Sequence, residues 1–390
     1  QKGSKENVVC VFGDAALTNG CSFEALNNIA QTTKKFIGIL NDNEWSIAKN
    51  VGAISNYLNK LITNPSYNKI TNDLQKFLEK IPTGKLAVRL GLRGQEALKG
   101  TVTQAILEHN EETMDADGRG GFGSSLIFEE FGIRYLGPID GHDLPLIIET
   151  LEFAKSCEQP VVIHVITKKG KGFNAAVQHP EKFHGTGPYN PKSGESLPEK
   201  ADKPPKYQDV FGNAMVKICQ KDKSVIGITA AMPSGTGLKT LEEKIPKQYY
   251  DVGIAEEHAV LFAAGMATMG YRPVCAIYST FLQRAYDQVI HDVAVQNLPV
   301  RFALDRAGLV GADGPTHAGA YDLAYLTCLP NMVVMAPSDE AELVHMVATA
   351  AAYNNGPIAF RYPRGEGVGV EIPEKGTVLQ IGKGRILRRG

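Results

Sequence analysis

Short apolar runs separated by amphipathic stretches recur along most of the chain. Residues 7–12 form a continuous apolar run that ends in a Gly-Asp pair, a pattern typical of a buried parallel strand. Residues 22–33 carry apolar side chains at helical spacing, with Ser22 as the predicted N-cap, and residues 36–40 form the next apolar run. A strand, a helix and a strand in this order predict a parallel sheet.

The second half of the chain repeats this alternation. Helical spacing occurs at 210–220, 256–269, 280–296 and 338–353, and the apolar runs between are 224–229, 273–278, 300–304, 331–335 and 358–361. The pattern predicts an α/β protein with two doubly wound parallel-sheet domains. We expect the domains at 1–187 and 210–378, a linker rich in Pro and Lys at 188–209, and a stub of a further domain at 379–390. The region of about 51–125 interrupts the first domain and is predicted to be a mobile insertion.

The amino-acid composition of the chain excludes some classes of function. The chain has 390 residues, of which 43% are hydrophobic and 21% charged, so it can build folded cores. Its 41 basic and 42 acidic residues leave a net charge of -1, which excludes a broad basic surface for nucleic acid. The apolar runs are too short to span a membrane. The six cysteines form no CxxC pair, so we expect buried free thiols in a reducing compartment. A bacterial cytoplasmic location is favoured, and a plastid stays open because the chain does not begin with Met.

Polar residues follow the first two strands. Asp14 ends one strand and Asn43 follows the next, and ligands of open α/β sheets bind at the carboxyl ends of the strands. A carboxylate, an amide oxygen and a backbone carbonyl suit Mg²⁺, and the helix that begins near Ser22 suits a diphosphate. The alternative is a Gly-Asp turn and an Asn-rich loop, which the spacing alone favours.

The second half offers further candidates. Glu256 lies at a strand-to-helix junction in an apolar setting, where the pKa of a carboxyl rises. Phe281 is a flat side chain on which a pyrimidine can stack. Arg306 and Arg364 follow strands and suit phosphate, and His317 lies in a Gly-rich loop. Taken singly, each has a commoner alternative: a helix-terminal carboxylate, a core phenylalanine or a solvated arginine.

Several short sequence motifs considered together indicate a protein family far more specifically than any single residue does. The sequences LNDNEWSI, GPIDGHD, YSTFLQRAYDQ, DRAGLVGADGPTH and RYPRG, in this order, resemble the 1-deoxy-D-xylulose-5-phosphate synthase family of transketolase-like enzymes. The resemblance covers nearly the whole chain and implies the thiamine-diphosphate-binding fold. It also implies Mg²⁺ and diphosphate binding by domain 1–187, pyrimidine binding by domain 210–378, and a homodimer. The implied reaction decarboxylates pyruvate and condenses it with D-glyceraldehyde 3-phosphate, which feeds isoprenoid, thiamine and pyridoxal synthesis.

The resemblance also implies a role for individual residues. The implied magnesium ligands are Asp14, Asn43 and the backbone carbonyl of Trp45. The implied cofactor-binding residues are Asp14, Ala15, Ala16, Asn43, Lys169, Phe173, Glu256 and Phe281. The implied catalytic residues are Glu256, His184 and His317, and the implied substrate-binding residues are Tyr278, Arg284, Arg306, Asp313 and Arg364. Ala15 stands where the family usually has Gly, and its Cβ would crowd the diphosphate if the backbone there had a positive φ.

Two alternatives to this enzyme stay open. The family has His residues and a Gly-His-Ser segment before residue 7, and a third domain after the second. We therefore expect this chain by itself to be inactive. One alternative is another transketolase-like enzyme. The other is a non-catalytic fragment or paralogue that retains only cofactor binding or dimerisation.

Overall fold

The contacts within the chain divide it into two compact units. The computed structural model describes residues 6–63, 127–198, 203–386 and 388–389. The first unit consists of Gln1–Asn43 and Ile54–Lys168, and the second of Glu44–Ala53 and Lys169–Gly390. Most of the insertion predicted at about 51–125 lies outside the described residues, and its beginning forms the helix Ala53–Thr63. The functional domain limits given above remain predictions.

The first unit contains a four-stranded parallel sheet. Its strands are β1 (Val8–Gly13), β2 (Phe36–Asp42), β3 (Arg134–Asp140) and β4 (Val161–Ile166), in the order β1-β2-β4-β3. Its helices are Gly20–Thr32, Ala53–Thr63, Ile127–Glu130 and Leu144–Ser156. Apolar side chains are buried on both faces, with Leu40 and Phe128 in one core and Ile37 and Ile163 in the other. This two-sided burial is the reason why β2 and β4 are continuous apolar runs.

Strand β1 differs from the buried strand that its sequence predicts. It pairs with β2 and lies at the edge of the described sheet. Val8, Val9 and Val11 are 63%, 51% and 67% exposed. The prediction of burial is therefore wrong for these three valines within the described part of the chain, because nothing described there covers their side chains, whereas Phe12 packs against the core of Leu40 and Phe128.

The second unit contains a six-stranded parallel sheet. Its strands are β5 (Val225–Thr229), β6 (Tyr249–Asp251), β7 (Arg272–Tyr278), β8 (Arg301–Asp305), β9 (Val333–Met335) and β10 (Ile358–Arg361), in the order β6-β5-β7-β8-β10-β9. The longer helices are Tyr207–Cys219, Glu256–Thr268 and Glu340–Ala352, and shorter ones are Asn174–Gln178, Lys239–Lys244, Ser279–Leu282, Tyr286–Gln288 and Asp322–Thr327. Cores lie on both faces of this sheet, which confirms the predicted doubly wound architecture.

Three local predictions are corrected. The first helix begins at Gly20, and Asn19 is its N-cap because the Asn19 side chain accepts a hydrogen bond from Cys21 N at 3.0 Å. Ser22 instead donates to the backbone carbonyl of Ala16. The helix predicted at 280–296 is broken into short helical pieces that end in the π-helical turn Val289–Ala294.

All six cysteines are free, but only Cys157, Cys219 and Cys275 are buried, whereas the other three are exposed. The expectation of buried thiols is thus wrong for half of them. Among the described helices, none combines the length and the apolar character that crossing a membrane requires.

Candidate active site

Three neighbouring strands of the second sheet end in residues predicted to bind substrate. Tyr278 is the last residue of β7, Arg306 follows β8, and Arg364 lies three residues after β10. Strands β7, β8 and β10 are adjacent and parallel, so their carboxyl ends lie at the same edge of the sheet. In open α/β sheets this edge is where ligands bind.

Glu256 begins the helix Glu256–Thr268 and is buried. Its Oε2 accepts a hydrogen bond from Nη1 of Arg284 at 2.6 Å. Burial raises the pKa of Glu256, and the Arg284 cation and the backbone N–H of Glu256 offset part of that rise. The carboxyl group therefore holds a proton more readily than an ordinary glutamate does. Arg284, predicted to bind substrate, lies beside the predicted catalytic acid.

Tyr278, Phe281 and His317 form an aromatic group next to the strand ends. The rings of Tyr278 and Phe281 stack with centroids 5.5 Å apart, and the His317 ring meets Phe281 edge-on at 5.3 Å. The backbone at Gly235 packs against the Tyr278 hydroxyl so closely that a Cβ at Gly235 would overlap it. Burial raises the pKa of the Tyr278 hydroxyl, so this group stays neutral. The aromatic group therefore brings Phe281, predicted to bind the cofactor, into contact with His317, predicted to be catalytic.

Arg306, Asp313 and Arg364 form a charged cluster beside this aromatic group. The Oδ2 atom of Asp313 lies 2.8 Å from Nε of Arg364 and 3.5 Å from Nε of Arg306. The Arg306 guanidinium lies over the Tyr278 ring at 4.1 Å. The structure therefore brings together four of the five residues predicted to bind substrate, namely Tyr278, Arg306, Asp313 and Arg364. Two guanidinium groups held next to each other suit a doubly charged phosphate.

Lys169 and His184 form a second pair in the same unit. Nζ of Lys169 lies 3.0 Å from Nδ1 of His184 and also donates to the backbone carbonyl of Ser46. Partial burial, together with the Lys169 cation, lowers the pKa of His184, so the imidazole is neutral at neutral pH. A neutral ring can accept a proton or donate its own N–H to a substrate oxygen.

Phe173, predicted to line the cofactor, packs in an aromatic cluster. Its ring centroid lies 5.4 Å from that of Phe183 and 5.8 Å from that of Tyr189. These contacts fix the loop before the helix Asn174–Gln178. The packing explains why an aromatic residue is needed there whether or not its exposed surface meets a cofactor.

In the first unit, the predicted metal ligands lie at the ends of paired strands. Asp14 follows β1 and is buried, Asn43 follows β2, and the backbone N–H of Asp14 donates to Asn41 O at 3.3 Å. Ala15 and Ala16 lie in the 3-10 helix Ala15–Thr18, and Ala15 is not among the described non-glycine residues with positive φ. The Ala15 side chain therefore causes no backbone strain. Trp45 belongs to the second unit, where it forms a bridge with Lys49.

Two polar residues beside the site carry no role in the sequence-based prediction. Asp305 is the last residue of β8 and is fully buried, with its Oδ1 bonded to the backbone N–H of Arg306 at 2.6 Å. Gln208 accepts from Nη1 of Arg306 at 3.3 Å. The strand-end rule that selected Arg306 could have found Asp305, because an acid that ends an apolar run is unusual. No local signal marks Gln208, which lies 98 residues away from Arg306 in the chain.

Two family models match this chain. Residues 203–368 match the transketolase pyrimidine-binding domain, so the second unit contains this domain of the transketolase class of thiamine-diphosphate enzymes. Residues 1–167 match the 1-deoxy-D-xylulose-5-phosphate synthase model. The chain belongs to the 1-deoxy-D-xylulose-5-phosphate synthase family.

Relatives and solved structures are similar over much of the chain. The 1-deoxy-D-xylulose-5-phosphate synthase of Methylacidiphilum infernorum is 50% identical over 392 residues, and that of Thermomicrobium roseum is 49% identical over 389 residues. Each match covers 100% of this chain and 58% of the relative, so the chain spans little more than half the length of these proteins. A solved transketolase from Campylobacter jejuni overlaps with a TM-score of 0.41 at 17% identity, over 96% of this chain and 59% of that one.

Proposed function

We propose that this chain carries the cofactor and substrate sites of a 1-deoxy-D-xylulose-5-phosphate synthase. In the proposed reaction, pyruvate loses carbon dioxide and its remaining two-carbon unit joins D-glyceraldehyde 3-phosphate. The observation that carries the proposal is the contact of the buried Glu256 with the partly exposed Arg284, in the same compact unit as the charged cluster of Arg306, Asp313 and Arg364. The contact between Glu256 and Arg284 fits a cofactor ring, and the charged cluster fits a phosphorylated acceptor. Similarity to relatives of that name supports the same reading.

The residues present fit thiamine diphosphate and Mg²⁺. Asp14 and Asn43 offer hard oxygen donors at the ends of adjacent strands, and Ala15 leaves the backbone unstrained. No group of three or more His, Cys, Asp or Glu side chains within the described ranges could hold a metal. The proposed ligand set contains a single acid, with an amide and the Trp45 backbone carbonyl as the other donors. Thiamine diphosphate, when bound, supplies the electron sink for the decarboxylation.

Glu256 is assigned to the aminopyrimidine ring. Because Oε2 accepts from Arg284, we assign the exchange of a proton with the ring nitrogen to Oε1. Burial raises the pKa of this carboxyl, which brings it closer to the range in which an acid both gives and accepts a proton. Phe281 supplies a flat apolar surface for the ring. Arg284 keeps the carboxyl in place.

His317, His184 and Lys169 are assigned to the reacting atoms. Nδ1 of His317 lies 3.0 Å from the hydroxyl of Thr316, which leaves Nε2 as the atom for a substrate oxygen. The Lys169 side chain orients His184 through Nδ1, and we assign Nε2 of His184 to the substrate by the same argument. Each residue thus directs one ring nitrogen toward substrate and the other toward the protein.

Arg306 and Arg364 are assigned to the phosphate of the acceptor. Asp313 contacts Nε of both guanidinium groups and so sets their spacing. Tyr278 supports Arg306 from below through its ring face. Pyruvate has no phosphate, so this cluster distinguishes the acceptor from the donor.

We also propose that the enzyme is a homodimer in the bacterial cytoplasm. The helix Glu256–Thr268 carries Leu261, which is 44% exposed, and Met269 and Tyr271 follow it at 77% and 46% exposure. Together with Phe262 they line a shallow apolar groove. Apolar surface of this kind is typical of an interface with another chain. A second copy is the proposed partner.

Because the chain by itself is expected to be inactive, it replaces the matching segment of the Methylacidiphilum infernorum synthase for the test. The test is product formation by this chimera from pyruvate and glyceraldehyde 3-phosphate, followed by chromatography of the sugar phosphate. The synthase of Methylacidiphilum infernorum serves as positive control. Product from a ketose phosphate donor, with none from pyruvate, would favour the transketolase-like alternative. Magnesium-dependent binding of thiamine diphosphate in a calorimeter, without turnover of either donor, would favour the non-catalytic alternative. Absence of both binding and turnover would contradict the proposal.

A further inference from the structure

The carboxyl group of Asp305 is enclosed behind the proposed phosphate site. Its Oδ1 accepts from the backbone N–H of Arg306 at 2.6 Å and lies 3.1 Å from Nη1 of the same residue. Its Oδ2 is buried and has no hydrogen-bond partner among the described residues. A carboxylate oxygen that is buried without a donor is costly, and protonation of that oxygen removes the charge.

The neighbours of Asp305 leave its charge only partly compensated. Strand β8 lies between β7, which ends in Tyr278, and β10, which is followed by Tyr362. The Tyr362 hydroxyl is buried and also lacks a hydrogen-bond partner in the described part of the chain. Burial raises the pKa of both tyrosines, so they stay neutral. The charged groups around Asp305 are therefore Arg306, Asp313 and, through Asp313, Arg364.

These surroundings bring Asp305 into the range where it titrates near neutral pH. Burial raises its pKa to about 7, Arg306 offsets part of the rise, and the like charge of Asp313 adds to it. An ordinary aspartate is fully ionised at that pH. A further negative charge placed close by would raise the pKa again, because like charges disfavour ionisation.

Arg306 contacts several groups of the protein, and among these contacts the carboxyl group of Asp305 is the one that titrates near neutral pH. The backbone of Arg306 has a φ of 57°, a conformation uncommon for a residue with a Cβ and one often found at functional sites. Its Nη1 donates to the backbone carbonyl of Gly235 at 2.6 Å. Burial disfavours the guanidinium cation, but the attraction of Asp305 and other groups prevails and raises the pKa of Arg306. Arg306 therefore keeps its charge and position in either state of Asp305.

We propose that Asp305 is a positioning residue that takes up a proton from solvent when a dianionic phosphate ester binds beside Arg306. The inference rests on the proposed function, because it assumes that the charged cluster binds the acceptor phosphate. With Asp305 ionised, the charges of Arg306 and Arg364 are cancelled by those of Asp305 and Asp313. With Asp305 protonated, the cluster carries one net positive charge, which attracts the dianion. The bound dianion and the proton on Oδ2 therefore favour each other.

The proton uptake can be counted without turnover. Glycerol 3-phosphate is titrated into the protein slightly above neutral pH, in buffers that differ in ionisation enthalpy, and the apparent binding enthalpies give the number of protons exchanged. We expect uptake of about half a proton, which corresponds to a rise of about one unit in the pKa. Asp305→Asn cannot titrate, yet it keeps an oxygen that accepts from the Arg306 N–H. In this variant the ester should still bind and the uptake should vanish.

A matched control uses another buried aspartate of the same unit. Asp322 pairs with Arg361 at 2.8 Å and makes no described contact with Arg306, so Asp322→Asn should keep the wild-type proton count. Equal uptake by wild type and Asp305→Asn overturns the inference while leaving the proposed function intact. Absence of ester binding by the wild type overturns both the proposed phosphate site and the inference.

A second measurement uses only wild-type protein, so it tests the inference even if the Asp305→Asn variant does not fold. In wild-type protein with ¹³C-labelled aspartate, infrared spectra should show that glycerol 3-phosphate increases the band of protonated aspartate. Uncharged glycerol should leave this band unchanged. An aspartate band that does not respond to the bound phosphate ester overturns the inference without any variant.

Discussion

Arg284 donates a hydrogen bond of 2.6 Å to the carboxyl group of Glu256, although the two residues are 28 positions apart in the chain. Only 3% of the Glu256 side chain is exposed, against 38% of the Arg284 side chain. Burial of the acid and the cation at its edge act in opposite directions on its pKa, and burial prevails. The pair therefore fixes the orientation of the carboxyl while leaving it easier to protonate than an ordinary glutamate.

Glu256→Gln is expected to lower kcat of the active enzyme by about 10²- to 10⁴-fold, the usual share of a general acid or base. The amide keeps the shape of the side chain but cannot exchange the proton. Steady-state kinetics with pyruvate and glyceraldehyde 3-phosphate measure the effect. Glu257→Gln, in the same helical turn, is the matched control and should leave kcat nearly unchanged. A kcat within about threefold of wild type in Glu256→Gln would contradict the assignment.

Arg284→Met is expected to change how stability depends on pH. The folded state already raises the pKa of Glu256, so it binds more protons than the unfolded state, and stability is lost as pH rises through the folded-state pKa. Without Arg284 this pKa rises further, and the loss should continue to higher pH. The measurement is the free energy of unfolding by urea over a series of pH values.

The control for this variant is the double substitution of Glu256→Gln with Arg284→Met, which has no acid to titrate at this position. Its pH dependence should lack the additional loss. If Arg284→Met and the double variant gave parallel curves, the pair would not influence the titration of Glu256.

Arg306→Ala and Arg364→Ala should each raise KM for glyceraldehyde 3-phosphate by about 10- to 100-fold, since a charge-assisted contact contributes about 1.5–3 kcal/mol. KM for pyruvate, which carries no phosphate, should change little. Arg272→Ala is the control, because Arg272 begins β7 at the opposite end of the sheet and pairs with Asp222. Equal changes in KM for both substrates would mean that the arginines support the structure or the cofactor.

Trp45 is the only tryptophan of the chain and lies two residues beyond Asn43. If its backbone carbonyl helps to bind Mg²⁺, its fluorescence should change when Mg²⁺ and thiamine diphosphate are added together, and change little with either alone. Asn43→Ala should weaken this joint response. Calorimetric binding with no change in fluorescence would argue that the metal binds elsewhere.

Leu261→Glu is expected to weaken self-association, because it places a charge in the apolar groove next to Phe262 and Met269. Sedimentation velocity over a range of protein concentrations measures the shift toward monomer. Leu323→Glu is a closely matched control, since Leu323 has the same 44% exposure as Leu261 and lies outside the groove. A dimer of unchanged strength in Leu261→Glu would place the interface on another surface.

The amino-acid sequence alone was enough to predict the two parallel sheets and the strand ends at which the candidate residues lie. Alternating apolar runs and helical spacing fix the order of elements, and parallel strands must present their carboxyl ends at one edge. The apolar runs therefore place Asp14, Arg306 and Arg364 beyond strand ends, whereas the resemblance to the family favoured a binding role for them over the commoner alternatives. Polar strands as short as Tyr249–Asp251 carry no such pattern, so the sequence does not predict them.

The contacts among these groups could not be predicted from the sequence, because they depend on how the elements pack in three dimensions. Arg284 lies in the 3-10 turn Gln283–Ala285, one of the short pieces into which the predicted helix at 280–296 is broken, and its side chain contacts Glu256. Asp305 loses contact with water because β8 is enclosed between β7 and β10 and by the cores on both faces. Burial of a side chain, and its pairing with a residue distant in sequence, depend on how the elements pack. These two effects determine the pKa values of the acids at the site, and so their protonation.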